Sequence, residues 1–375
     1  IYDNHAKRTF EEASINTIIV IFKRPEGKHL ADNLTRFVAF KKPFEVVIDE
    51  DNLKAIADAR EKLKTDDFRY VPLTQGELWN EGITEEDTKQ AEITGSEFIG
   101  KYKGNKWGGK YLRAPDIFFT ILEKGKDKLV RLEDIAEVRF GIKTGANEFF
   151  YLPSKYFDVK EEGDYYRLIP KQEELPADIR IEKEFLQPIV SDFESLKKIK
   201  IKPNKFIFTY PEEDCEKNDY EANRYIKFGC TLKTKGRQKQ ASGIPLPEIE
   251  SFQGRKYWYA ISFSNDMYSN IFWEKRVGER FSTFFSDSNI LADQKFYPVK
   301  LKEQSSQLPF LTSVNSTIER LFLEIDAVSY TGAYTLIEMS VNNAKNLKLI
   351  NPTLLHQLKL DIQNKQFKSI FEECG

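Results

Sequence analysis

The sequence predicts a mixed α+β fold, and three observations carry that expectation. Residues 15–22 (INTIIVIF) are apolar and β-branched without alternation, as in a strand covered on both faces. Residues 50–68 change to a helical period, and from about residue 129 onward short aromatic and β-branched runs alternate with loops, a strand-rich texture. A chain of 375 residues has room for about two or three domains.

Taken in order, the polar turn at 25–28 is followed by 37–40 (FVAF) and 44–48 (FEVVI), which read as a second extended stretch. In 50–68, Leu53, Ile56, Ala57, Arg60 and Leu63 share one helical face, with acids leading and lysines following. That order matches the helix dipole, so an amphipathic surface helix is expected. Residues 74–112 are polar and rich in Thr, Glu and Gly, and read as helical turns and a connecting loop. Residues 129–138 suggest strand–helix–strand. Strands are expected at 205–210, 256–261, 295–299 and 334–339, and alternation of Ile199 and Ile201 with lysines suggests another near 197–205. Residues 309–325 return to helical spacing, with Ser313 or Asn315 able to cap. Residues 353–373 read as a terminal helix of alternating charge.

Composition excludes several classes. Lys plus Arg number 57 against 59 Asp plus Glu, a net charge of -2, so the chain is neither a uniformly basic binder nor an acidic disordered segment. Cys215, Cys230 and Cys374 show no short pairing pattern, which argues for a reducing, cytoplasmic setting and against a disulfide framework. His5, His29 and His356 are scattered, so a zinc site is not expected, and no apolar run is long enough to span a membrane. Neither a nucleotide-phosphate glycine loop nor a Gly-x-Ser-x-Gly elbow is present. The acid-x-Lys triplets at 26–28 and 293–295 are expected by chance in a sequence this rich in both.

Charge is distributed unevenly. Residues 222–247 carry Arg224, Lys227, Lys233, Lys235, Arg237 and Lys239 and no Asp or Glu. Within this window 231–243 (TLKTKGRQKQASG) is polar and has no core period. Such a basic loop suits phosphate contacts, although a solvated loop has the same composition. Tyr257, Trp258 and Tyr259 follow, and fit either base stacking or an aromatic core.

Three patches carry a resemblance. Residues 10–19 (FEEASINTII) resemble the late strand motif of gamma-type N6-adenine DNA methyltransferases. Residues 141–150 (GIKTGANEFF) resemble the Gly-x-x-Thr-Gly-x-Asn-x-x-Phe opening of their target recognition domain. Residues 186–190 and 313–316 resemble segments further along it. The chain is thus similar to enzymes of the Taq adenine methyltransferase type and to type IIG restriction-modification enzymes. The family's S-adenosylmethionine loop and Asn/Asp-Pro-Pro-Tyr/Phe motif, which precede the late strand, do not occur here.

The resemblance implies a C-terminal portion of such an enzyme. Residues 1–50 would close the edge of a Rossmann-like methyltransferase sheet, 51–128 would connect, 129–352 would form a β-rich target recognition domain with peripheral helices, and 353–375 would end the chain. The partner would be double-stranded DNA, together with an N-terminal methyltransferase domain, with or without a nuclease domain. S-adenosylmethionine would serve the parent enzyme, and Mg²⁺ only a nuclease domain. No catalytic residue would lie in this portion. Phe10 would stack on a flipped adenine, and Lys143, Thr144 and Asn147 would join the basic window as DNA contacts. The alternatives are a freestanding DNA specificity subunit without catalysis, distinguished by whether an Asn/Asp-Pro-Pro-Tyr/Phe motif is encoded upstream of Ile1, and an unrelated β-rich binding domain.

Overall fold

A computed structural model of the chain describes all residues except 5, 8–9, 11, 13–17, 25–29, 85–86, 88, 91–97, 193–197, 204, 234–242, 278–282, 303–306, 331–335, 356–359, 361–363 and 365–375. The chain divides into two compact units. One comprises 1–131, 276–281 and 316–375, and the other 132–275 and 282–315.

The first unit is built on a five-stranded sheet in the order Ile18–Ile19, Tyr2–Asp3, Leu34–Phe40, Phe68–Thr74, Leu63–Lys64. Tyr2–Asp3 runs parallel to Leu34–Phe40 and the other pairs are antiparallel. Alternation along the central strand sends its side chains to opposite faces. Phe37 and Ala39 pack with Val71, Leu78, Tyr111 and Leu112, whereas Val38 and Phe40 pack with Val47, Ile56, Phe68 and Tyr70. Both faces of this sheet are therefore covered.

The apolar run at 15–22 departs from expectation. Residues 15–17 lie outside the described residues. Among the described residues Ile18–Ile19 is a two-residue edge strand paired with Tyr2–Asp3, and Ile18 through Phe22 are exposed rather than buried. At the sheet edge this strand has a described pairing partner on one side.

Residues 44–47 are a short helix, not a strand. Pro43 precedes it, Phe44 and Val47 turn to the core three residues apart, and Val46 and Ile48 are left exposed. The next helix is shorter than its period suggested, Glu50–Asp58. Asp49 caps it by accepting from the Asn52 amide at 2.8 Å, and Leu63, expected on its face, lies on a strand. Within 74–112 stand a helix at Gln75–Asn80 and a wide π-type turn at Gly108–Arg113. At Gly109 a Cβ would lie 2.0 Å from the Ile325 carbonyl oxygen, so only glycine permits that approach. Helices Asp116–Lys124 and Thr317–Asp326 join through Phe118 and Phe322, 5.3 Å between ring centres.

The second unit contains a seven-stranded sheet in the order Ala136–Val138, Phe296–Leu301, Ser269–Glu274, Thr283–Ala292, Leu186–Val190, Lys205–Phe208, Tyr151–Leu152. All pairs are antiparallel except Leu186–Val190 with Thr283–Ala292. An antiparallel meander, Phe157–Glu162, Tyr165–Pro170 and Ile179–Glu182, forms a separate sheet. Much of the chain's 29 Phe and 17 Tyr go into this unit's core, where Phe149, Phe157, Phe208, Tyr225 and Phe228 meet in stacked and edge-on pairs.

Strand–helix–strand at 129–138 is found as expected, as are strands within 205–210, 295–299 and 334–339. No strand runs through 256–261. Those residues form a turn held by Ala260 N–H to the Tyr257 carbonyl and Arg255 to the Trp258 carbonyl, and Ile261 alone bridges Tyr210. Nor do the described residues near 197–205 form a continuous strand. Lys200 makes an isolated bridge to Phe285, Ile201 is buried and Ile199 exposed. The helical stretch 309–325 is two helices, Gln307–Val314 and Thr317–Asp326, and Ser316, not Ser313 or Asn315, caps the second. Ser313 is buried. Asn315 accepts from the Thr283 amide at 3.0 Å and donates to the Leu311 carbonyl at 2.8 Å. Most of 353–373 lies outside the described residues. Among the described residues no helix is long and apolar enough to cross a membrane.

Candidate functional site

The Gly141–Asn147 segment leaves the edge strand Ala136–Val138 and is stitched to a second turn at 293–295. Ile142 N–H donates to the Ala292 carbonyl at 2.7 Å, and Gln294 N–H donates to the Ile142 carbonyl at 2.9 Å. A Cβ at position 141 would stand 2.2 Å from the Asp293 carbonyl oxygen and 2.6 Å from that of Phe296. Glycine is thus required for two backbones to meet here. Gly145 has φ +89°, a conformation that favours glycine.

Between the glycines the side chains divide sharply. Lys143 is exposed and Thr144 fully buried. The Thr144 hydroxyl donates to Asn147 Oδ1 at 2.5 Å and accepts from the Ala146 amide, while the Thr144 carbonyl accepts from Arg255 at 2.8 Å. Asn147 Nδ2 reaches the Asp293 carboxylate at 3.4 Å, and the buried Tyr151 hydroxyl donates to it at 2.7 Å. Burial, reinforced by the Asp293 charge, pushes the Tyr151 hydroxyl well above its ordinary range. Arg255 lies against the Phe252 and Phe150 rings, and burial lowers its guanidinium from the usual value. Of the three candidates in this motif, Lys143 alone points wholly outward. Thr144 holds the turn, and Asn147, though exposed, is tied to Thr144 and Asp293. No local pattern signalled Tyr151 or Arg255, and Asp293 stood out only in an acid-x-Lys triplet expected by chance, because the contacts that tie them to this turn span 111 to 146 positions of the chain.

The basic window begins on helix Asn223–Thr231. Tyr225, Ile226, Phe228 and Gly229 face the core, and at Gly229 a Cβ would come within 2.5 Å of the Phe149 and Trp258 rings. Close packing on that side leaves Arg224 and Lys227, three residues apart, on the solvent side. Glu182 accepts from the Glu221 and Ala222 amides at 2.6 and 3.2 Å just ahead of the helix, placing an acid where the dipole favours it. Arg224 lies 3.9 Å from Glu221 and 3.4 Å from the Asp178 carbonyl. Lys233, exposed, bridges Pro245 through its backbone. Lys235, Arg237 and Lys239 lie outside the described residues. Trp258 packs on Phe149 at 4.9 Å and Tyr259 is buried, so these rings serve the core. Phe10, in the first unit, is 62% exposed. Among the described residues no group of three or more His, Cys, Asp or Glu could hold a metal ion.

A family model for the C-terminal domain of the type II methyltransferase M.Eco57I matches residues 104–374, more than two thirds of the chain. The chain belongs to this family. The M.Eco57I-type match takes in the whole second unit, including the Thr144 turn and the basic helix. No curated protein matches the chain. Among solved structures, the type IIG restriction endonuclease BpuSI matches at 10% identity with a TM-score of 0.41, over 89% of this chain and 35% of that one. The chain thus spans about a third of that enzyme's length.

Proposed function

We propose that the chain is the DNA target-recognition portion of an adenine-specific (N6) DNA methyltransferase from a bacterial or archaeal restriction-modification system. The observation that carries this reading is the outward basic side of helix Asn223–Thr231. There Arg224 and Lys227 lead into Lys233 and the acid-free stretch containing Lys235, Arg237 and Lys239. Cations on a helix and along the stretch of chain that follows it can track a phosphate backbone. In this reading Lys143 adds a phosphate contact from the stitched turns, Thr144 and Asn147 position it, and Phe10 offers a ring to an extruded adenine.

In the same reading residues 1–50 close the methyltransferase sheet, 51–128 connect, and 129–352 hold target recognition. No Asn/Asp-Pro-Pro-Tyr/Phe motif stands among these residues, so methyl transfer from S-adenosylmethionine is assigned to another part of the parent enzyme. In that parent Mg²⁺ would serve only a nuclease domain, and the setting is cytoplasmic.

Titration of the chain with duplex DNA against salt tests the proposal. Each neutralised phosphate contributes roughly -0.9 to the log–log slope. Replacing Lys233, Lys235 and Arg237 together with Ala is expected to weaken binding and to reduce the slope by up to about three. Binding indifferent to salt, or none, would overturn the assignment of DNA as partner. An unchanged slope in the triple variant would remove the loop from the DNA face.

A further inference from the structure

We propose that the stitched turns at 139–143 and 293–295 form a DNA-contacting ridge in which Phe140 is an aromatic wedge stacking on a base. This rests on the reading of the chain as a DNA-recognition module.

Phe140 is 65% exposed, although Val138 and Ile142 on either side are buried. Its ring is nevertheless held in place. It stands edge-on against the buried Tyr297 ring, 5.9 Å between centres. The backbone on both sides is pinned, by Arg139 N–H to the Pro298 carbonyl at 3.1 Å and by Ile142 N–H to the Ala292 carbonyl at 2.7 Å. A ring fixed this way loses little freedom on binding, which is the condition for an effective anchor.

The surroundings suit a nucleic acid better than an apolar partner surface. Lys143, Gln294 and Lys295 are all exposed beside the ring's segment. The Lys295 ammonium is steadied on the Ser191 carbonyl at 2.9 Å. Asp293, the acid of the second turn, is buried with its carboxylate turned to Tyr151, and Arg139 is paired with Asp266 and Glu137. Around one apolar ring the ridge therefore presents Lys143, the Gln294 amide and the anchored Lys295, with Arg139 held between the carboxylates of Glu137 and Asp266. Apolar side chains of this kind insert between base steps while flanking cations hold the phosphates, and a Gln amide can pair with a base edge.

Ultraviolet crosslinking of the chain to a mixed-sequence duplex carrying 5-iodouracil, with peptide mapping, tests this alongside a salt titration. The expected crosslinked peptide contains Phe140. Phe140→Leu should lower affinity about tenfold without changing the salt slope, and Lys143→Ala with Lys295→Ala should reduce the slope by about two. Salt-sensitive binding with crosslinks confined to other peptides, and with Phe140→Leu binding like the unaltered chain, overturns the ridge and leaves the recognition module standing. Absence of salt-sensitive binding overturns both.

Discussion

At Gly141 the two turns that shape the ridge leave no room for a side chain. A Cβ would meet two backbone carbonyl oxygens at 2.2 and 2.6 Å, and neither can swing aside as a flexible side chain could. Gly141→Ala is expected to cost about 1–3 kcal/mol, the range for overpacking a closed site, read as a lowered urea midpoint; an unaltered midpoint would mean that the turns part without cost. Tyr151→Phe removes a buried donor 2.7 Å from Asp293 and should cost about 1–3 kcal/mol, since the carboxylate keeps its burial and loses a partner. At this scale the Gly-x-x-Thr-Gly-x-Asn spacing was legible, and the need for both glycines followed from it. The direction of the side chains was not. Thr144 and Asn147 read as donors toward a ligand, yet the hydroxyl that fixes Asn147 and the carboxylate it reaches belong to an internal network. Asp293 lies 146 positions from Asn147, beyond any local pattern.

Single elements obey their own chemistry. Helix Gln75–Asn80 begins in a complete capping box. The Glu77 amide donates to the Thr74 hydroxyl at 3.1 Å, and the Thr74 amide donates to the Glu77 carboxylate at 2.7 Å. Thr74→Ala should therefore cost about 1 kcal/mol, and a thermal midpoint equal to that of the unaltered chain would speak against the cap. Helix Thr317–Asp326 carries the opposite feature. Glu319 is fully buried, and neither carboxylate oxygen has a hydrogen-bond partner among the described residues. Burial raises its carboxyl well above the ordinary value. Glu319→Leu replaces an unsatisfied polar group with an apolar one of comparable size. It should stabilise the chain by about 1–3 kcal/mol, and a loss of stability on denaturant unfolding would show that the carboxyl has a partner. Elements were legible where apolar and charged residues changed pattern over a few positions, as in the short strand, helix and strand at 129–138. They were misread where rings and β-branched residues gather without a strand. In 44–48 the burial of Phe44 and Val47 follows a helical turn, and in 256–261 Trp258 and Tyr259 complete a core from a turn. Aromatic content marks burial before it marks backbone conformation.

At the scale of the molecule, acidity is stored in both units and each store has a predictable pH signature. In the second unit burial raises the Glu274 carboxyl from 4.5 to about 7. In the first, burial raises Asp326 from 3.8 to about 6 against the opposing pull of Lys106, Lys348 and Lys110. A carboxyl whose folded value lies above its unfolded value binds a proton more tightly in the native state. Between those two values the unfolded chain holds fewer protons than the folded one, so stability falls as pH rises. The contribution is complete below about pH 4 and lost by about pH 7 for Asp326, and lost by about pH 8 for Glu274. Because the chain comprises two compact units, their unfolding need not coincide, and each residue should act on its own unit's transition. Denaturant unfolding followed at about pH 5 and about pH 8 should show a decline that Glu274→Gln reduces in one transition and Asp326→Asn in the other. A decline that survives both substitutions undiminished would place the titrating groups elsewhere.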